Sequence, residues 1–220
     1  MTAIAWDEVG ARRWQTGIDH GVLYLPDGSA VPWNGLTSLT EDLTREVKSY
    51  YLDGVKYLDH HVPGSFKATL TAFTYPDEFD ELLGNKEYAP GVFVHDQNTQ
   101  LFNLAYRTMQ GDDLSSEASD YKIHIIYNVQ AAAAAAGFST MGDTVAPGAF
   151  SWELTGTPSQ MFGIRPTSHI SLDSRRIDPE LLASIEAILY GTNGDPEADP
   201  VVEPTVPALP PLTELLELVS

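Results

Sequence analysis

Tyr50-Tyr51-Leu52-Asp53-Gly54-Val55-Lys56-Tyr57-Leu58 sets an Asp-Gly pair between two β-prone runs. Such a pair suits a two-residue type I′ turn, because Gly54 takes a positive φ at no steric cost. The stretch therefore predicts a β-hairpin. Just downstream, Phe66-Lys67-Ala68-Thr69-Leu70-Thr71-Ala72-Phe73-Thr74 puts Phe66, Ala68, Leu70 and Ala72 on one face. Lys67, Thr69 and Thr71 fall on the other, and only Phe73 interrupts them. That period of two predicts a half-buried strand.

Working outward, the same texture continues. Val22-Leu23-Tyr24-Leu25 is a short apolar run closed by the turn signal Pro26-Asp27-Gly28. Further strands are expected at 92–94, 102–108, 122–129, 150–154 and 168–172. In the fourth of these, Phe150, Trp152 and Leu154 alternate with Ser151 and Glu153. Between Thr108 and Tyr121 the chain is polar and acidic, which predicts a protruding loop. Two helices interrupt the strands. Pro76 to Gly84 reads as a short one, with acids in its first turn and a glycine to end it. Asp178 to Gly191 reads as the better one. Asp178 caps it, Pro179 fits the first position, and Leu181, Leu182, Ile185, Ile188 and Leu189 form an apolar stripe that must cover something.

At Gly191 the composition shifts. Residues 191–220 hold six of the 15 prolines, six acids and no Lys or Arg. A domain of residues 1–190 with a Pro-rich acidic extension at 191–220 follows. Such a segment prefers an extended, partly polyproline II arm. Its apolar tip, Leu212-Thr213-Glu214-Leu215-Leu216-Glu217-Leu218-Val219, either docks onto a neighbouring subunit or ends a disordered tail.

Composition narrows the function. With 43% hydrophobic and 20% charged residues over 220 positions, the chain can bury a core and is not wholly disordered. No cysteine is present, which excludes disulfides, thiolate metal sites and a thiol nucleophile. A formal net charge of −19 is wrong for gripping nucleic acid. The first residues lack a basic stretch followed by an apolar run, so no signal peptide is expected. The longest apolar run, Ala131 to Ala136, is far short of the roughly 20 residues of a membrane helix, so no membrane partner is expected.

Chemical motifs are scarce. In Asp59-His60-His61 the two imidazoles leave a strand on opposite faces, so no joint metal site is expected. The acids at 112, 113, 117 and 120 lack the spacing and central glycine of a calcium loop. No nucleophile elbow and no phosphate loop occurs. His20, His95, His124 and His169 are scattered singly and read as packed or surface residues. No catalytic residue, metal or cofactor is expected, and the chain is not expected to be an enzyme.

Several segments in order resemble the major tail proteins, or tail tube proteins, of long-tailed phages that infect actinobacteria. They are Trp6-Asp7-Glu8-Val9-Gly10, Thr16 to Tyr24, Trp33-Asn34-Gly35-Leu36, the 50–58 hairpin and Ala72 to Phe79. Tyr121-Lys122-Ile123-His124, Phe150 to Leu154, Arg165 to His169 and Leu172-Asp173-Ser174 complete the series. The resemblance spans residues 6 to about 174 and leaves out the extension.

The resemblance implies a mainly β fold, a sandwich or barrel with one or two short helices and the Pro-rich C-terminal arm. It implies a structural virion protein that forms stacked hexameric rings, the tail tube through which DNA is ejected. Its partners would be further copies, a tape-measure protein and other tail proteins, with DNA passing the lumen without specific binding. It would be assembled in the host cytoplasm and reside in the virion tail. Assembly contacts are expected at Asp112, Asp113, Leu114, Glu117 and Asp120 of the acidic loop, and at Leu212, Leu215, Leu216 and Leu218 of the arm. The hairpin residues Tyr50, Tyr51, Asp53, Gly54, Lys56 and Tyr57 either line the lumen or belong to a plain core hairpin. The acids either repel DNA from the lumen wall or keep the free subunit soluble. Alternatives are a distal tail or capsid decoration protein, or a carbohydrate-binding β-sandwich module.

Overall fold

A computed structural model describes residues 6–42, 47–61, 65–114, 118–135, 148–160, 163–194 and 203–219. The fold is mainly β with a few short helices. The strands are β1 (Arg13–Tyr24), β2 (Ala30–Trp33), β3 (Leu36–Asp42), β4 (Val47–Leu52), β5 (Val55–His61) and β6 (Lys67–Ala72). After helix α1 (Glu78–Leu82) come β7 (Lys86–Ala89), β8 (Val92–Val94), β9 (Phe102–Asp112), β10 (Asp120–Ala135), β11 (Phe150–Gly156) and β12 (His169–Asp173). Helices α2 (Pro179–Tyr190) and α3 (Leu212–Leu218) follow.

One sheet runs β2-β1-β9-β10-β11-β6-β3, with β12 also paired to β10, and its pairings are antiparallel. It curls until β3 approaches β1. Gly21 on β1 lies against the Leu36 side chain and the Trp33 carbonyl, where a Cβ would have no space. The curled sheet thus encloses one face and leaves the other outside.

The enclosed face is apolar throughout and the outer face is apolar over β1, β9, β10 and β12, so both need cover there. The enclosed face holds Leu23, Trp33, Leu70, Phe102, Leu104, Ile126, Val129, Trp152 and Leu154, with Phe79 and Leu82 of α1 packed into it. Its aromatic rings meet mostly edge to face, Phe79 against both Phe102 and Trp152. The outer face of β1, β9, β10 and β12 carries Val22, Tyr24, Ala105, Ile123, Ile125, Tyr127 and Leu172. There α2 supplies Leu182, Ile185 and Leu189, and α3 supplies Leu212 and Leu215.

Two bulges let single strands serve both faces. On β10 the register shifts between Ile126 and Val129, where Asn128 has φ 51°. Before the shift odd-numbered residues (Ile123, Ile125, Tyr127) face the helices; after it Val129 and Ala131 face inward. At the same place β10 leaves β12 and takes up β11. On β1 a similar shift surrounds His20, φ 48°. An extra residue inverts the parity of everything that follows it.

Helix α2 forms as expected: Asp178 accepts hydrogen bonds from the Glu180 and Leu181 amides, and Gly191 ends it with φ 72°. The C-terminal arm differs from the expectation. Residues 203–219 fold back instead of extending. Thr192 and Thr205 exchange backbone hydrogen bonds, the Ala208 amide donates to the Ile188 carbonyl, and the Tyr127 hydroxyl donates to the Pro210 carbonyl. Prolines only predispose to an extended chain. The sheet face that α2 leaves bare gives Leu212 and Leu215 somewhere to go.

Candidate functional site

Among the expected contact residues, the hairpin is the most telling. It forms with the anticipated turn: Leu52 pairs Val55, with Asp53 at φ 50° and Gly54 at φ 76°. It is not a core hairpin. β4 and β5 make a two-stranded ribbon outside the large sheet. Val47, Tyr50, Tyr51, Leu52, Val55, Tyr57 and Leu58 are all between 45% and 70% exposed. Lys56 pairs with Asp59 at 2.7 Å, and Asp59 also accepts from the Ser49 hydroxyl at 2.6 Å. A lone two-stranded ribbon is marginal in water, and one with apolar groups on both faces presents surface suited to burial.

The acidic segment is less of a loop than expected, because β9 and β10 extend into it from both sides. Asp112 ends β9 and Asp120 begins β10, pairing with the buried Gln110. The Asp113 carboxylate accepts from the Gly10 amide at 2.8 Å, and the Trp14 indole donates to the Asp112 carbonyl at 3.2 Å. So Asp113 fastens the segment before β1, and Asp112 the first residues of β1 itself. Leu114 is 70% exposed. Glu117 lies outside the described residues. In the arm, Leu212 and Leu215 are buried on their own sheet, whereas Leu216 is half-buried and Leu218 exposed. Burial within the chain takes Leu212 and Leu215 out of the set facing a neighbour. Trp33 and Trp152 are buried too, so they offer no flat aromatic platform to a sugar.

A second constellation escaped the sequence reading. At one end of the enclosed face, Glu41 of β3, His124 of β10 and His169 of β12 converge, with donor atoms all within 4.8 Å of one another. Strand register brings them together. Tyr106 stands directly opposite His124, and their rings stack at 4.7 Å and 1°. His124 opposes Ser171, which makes His169 its diagonal neighbour on the same face. His124 Nδ1 and His169 Nε2 are 3.1 Å apart and share a hydrogen, while His124 Nε2 lies 3.1 Å from the Thr108 hydroxyl. Glu41 arrives from across the curl and accepts from the Tyr106 hydroxyl at 2.7 Å.

Burial, then the neighbouring His169, pulls His124 down to about 4, against the opposing pull of Glu41. Burial likewise lowers His169. Burial first, and then the bond to Glu41, raises the Tyr106 hydroxyl far above the usual phenol range. Near neutral pH the two imidazoles are therefore neutral and Tyr106 remains a phenol. The sequence offered one faint signal: His124 interrupts the apolar run Ile123, Ile125, Ile126 on the inward phase. Glu41 and His169 had none, because no spacing rule links positions so far apart.

No family model and no curated protein matches the chain. Among solved structures it is similar to the sheath–tube complex of an extracellular contractile injection system, PVC, in its extended state. That match has 11% identity and a TM-score of 0.37, over 70% of this chain and 88% of the other. It is similar to the tube-terminating cap of the anti-feeding prophage, at 9% identity and TM-score 0.39, over 79% and 96%. The PVC sheath/tube terminator matches at 11% and 0.36, over 77% and 99%. Likeness at this level assigns no role to any residue here.

Proposed function

We propose that this chain is a structural subunit of a phage-type virion tail, related to the major tail proteins of long-tailed actinobacteriophages. It assembles with copies of itself into hexameric rings that stack into the tail tube, and it performs no catalysis. The observation that carries this reading is the β4–β5 ribbon, whose seven large apolar side chains stand in water on the free subunit. Burying them in a neighbour would contribute roughly 25 cal/mol per Å² of apolar area. A closed ring can satisfy every copy's ribbon at once, and stacking repeats the contact along one axis. Edge strands β2 and β3, which end the sheet path, offer further pairing to neighbours.

The remaining roles follow from charge and placement. With −19 per subunit, a lumen lined by part of these acids repels DNA and lets it slide without specific binding. Leu114, Leu216 and Leu218 are secondary contact positions, to other copies or to tape-measure and other tail proteins. Residues 1–190 form the tube domain, and of the extension 191–220 the segment 203–219 folds back to complete the domain's outer face. Assembly takes place in the host cytoplasm and the product is the virion tail.

Negative-stain electron microscopy of the purified chain across a concentration series tests this. Hollow tubes or stacked six-fold rings are expected. Isolated rings that never stack would move the reading to a distal or cap component. Capsid-bound trimers would indicate a decoration protein, and a monomer at every concentration, even with a tail initiator complex added, would overturn self-assembly.

A further inference from the structure

We infer that Glu41, His124 and His169 form a binding site for one divalent late transition metal ion, of the zinc type. Three strands that are distant in sequence deliver two imidazole nitrogens and a carboxylate to one point. A four-coordinate ion with bonds of about 2.0–2.1 Å holds its donors roughly 3.3 Å apart. His124 Nδ1 and His169 Nε2 are 3.1 Å apart, so the nitrogen pair already has the required spread. Glu41 Oε1 is 3.8 Å from His124 Nδ1, and the cluster offers one donor atom per residue with all three within 4.8 Å of one another. A movement of the carboxylate towards the nitrogen pair would complete a triangle of donors.

The donor chemistry selects the ion. Two nitrogens and one oxygen suit zinc, cobalt, nickel or copper, whereas calcium and magnesium take oxygen ligands almost throughout. Supporting partners stand behind the ligands. The Tyr106 hydroxyl holds Glu41 Oε1 at 2.7 Å, and the Thr108 hydroxyl lies 3.1 Å from His124 Nε2, the nitrogen facing away from the site. Such outer contacts fix the orientation of metal ligands. The Glu41 and His169 side chains are 22% exposed, so solvent reaches the site and a water can complete the coordination. The ion would take the place of the hydrogen shared by the two imidazoles, that proton moving to the other nitrogen of the ring that carried it, and would tie β3 to β10 and β12 across the curl, a stabilising cross-link in the folded state.

The test uses the full chain stripped with a chelator and titrated with Co²⁺, then Zn²⁺. Expected is saturable binding of one ion per chain, with the visible d–d bands of four-coordinate cobalt, bleached by added Zn²⁺. Zn²⁺ should raise Tm. His169→Asn and Glu41→Gln should each weaken binding by about tenfold or more, while His60→Asn in the exposed ribbon leaves it within about twofold. Absence of saturable binding to the wild-type chain would overturn the site. Binding that survives both substitutions unchanged would overturn it too, since it would then belong to surface acids. The titration reads nothing of ring formation, so its failure leaves the tail reading standing.

Discussion

The β4–β5 ribbon and the C-terminal segment begin alike and end differently. Both leave the main sheet, and both carry large apolar side chains beside charges. Residues 203–219 return, and α3 sinks Leu212 and Leu215 into the sheet's outer face beside Ile185 and Leu189. The ribbon pairs only with itself among the described residues and keeps Tyr51, Val55 and Tyr57 at least 65% exposed. The difference is one of available partners. The helix-covered face of the sheet was wider than α2 alone could cover, so the C-terminal leucines were used within the chain. The enclosed face was already filled by Trp33, Phe79, Phe102 and Trp152, and nothing remained there for the tyrosines. Apolar area that finds no place within the chain is what an assembly interface is made from.

Three measurements would break or sharpen that contrast. The largest effect is expected from Leu215→Ala. Leu215 is fully buried, so its truncation should cost about 2–5 kcal/mol in urea unfolding of the subunit. A loss under about 1 kcal/mol would mean that α3 is not held on its own sheet, and the two segments would be alike after all.

Acid should act on the body and spare the ribbon. His124 has a folded pKa of about 4 against an ordinary 6.5, so the unfolded chain takes up the proton more readily. Its stabilising contribution is fully present above about pH 6.5 and is lost as the pH falls towards 4, roughly 3 kcal/mol in all. His169 shifts in the same direction. Unfolding in chelated buffer between pH 7 and 4 should follow this slope, and His124→Gln should flatten it. A profile that stays flat in the wild type would place the imidazoles in water.

The smallest effect on the subunit is expected where the effect on assembly is greatest. Tyr51→Ser with Val55→Ser should change subunit stability by no more than about 0.5 kcal/mol, the usual range for exposed positions. Rings and tubes should vanish from electron micrographs under the conditions that form them with the wild type. Tubes that persist would move the interface to the sheet edges. A large loss of subunit stability would mean that the ribbon is packed after all.

Much of this was legible in the chain, and the boundary of legibility has physical causes. Asp53-Gly54 specified its turn, because two consecutive positive φ values are cheap at few other residue pairs. Asp178-Pro179 and Gly191 specified both ends of α2. The half-buried alternation of residues 67–72 gave β6 and its inward face, Ala68, Leu70 and Ala72. The acidic segment misled, because polar residues at a strand end and in a loop have the same composition; only pairing, such as Gln110 with Asp120, tells them apart.

By itself, then, the sequence determined the local elements, the sheet-rich class, the absence of thiol chemistry and the strong negative charge. These depend on neighbours along the chain or on composition alone. The tertiary structure decided the rest: which face each half of β10 presents across its bulge, where the C-terminal leucines are spent, and that Glu41, His124 and His169 meet. Each depends on register between distant strands. A shift of one residue would turn every inward side chain outward, and no local pattern records which register the packing selects.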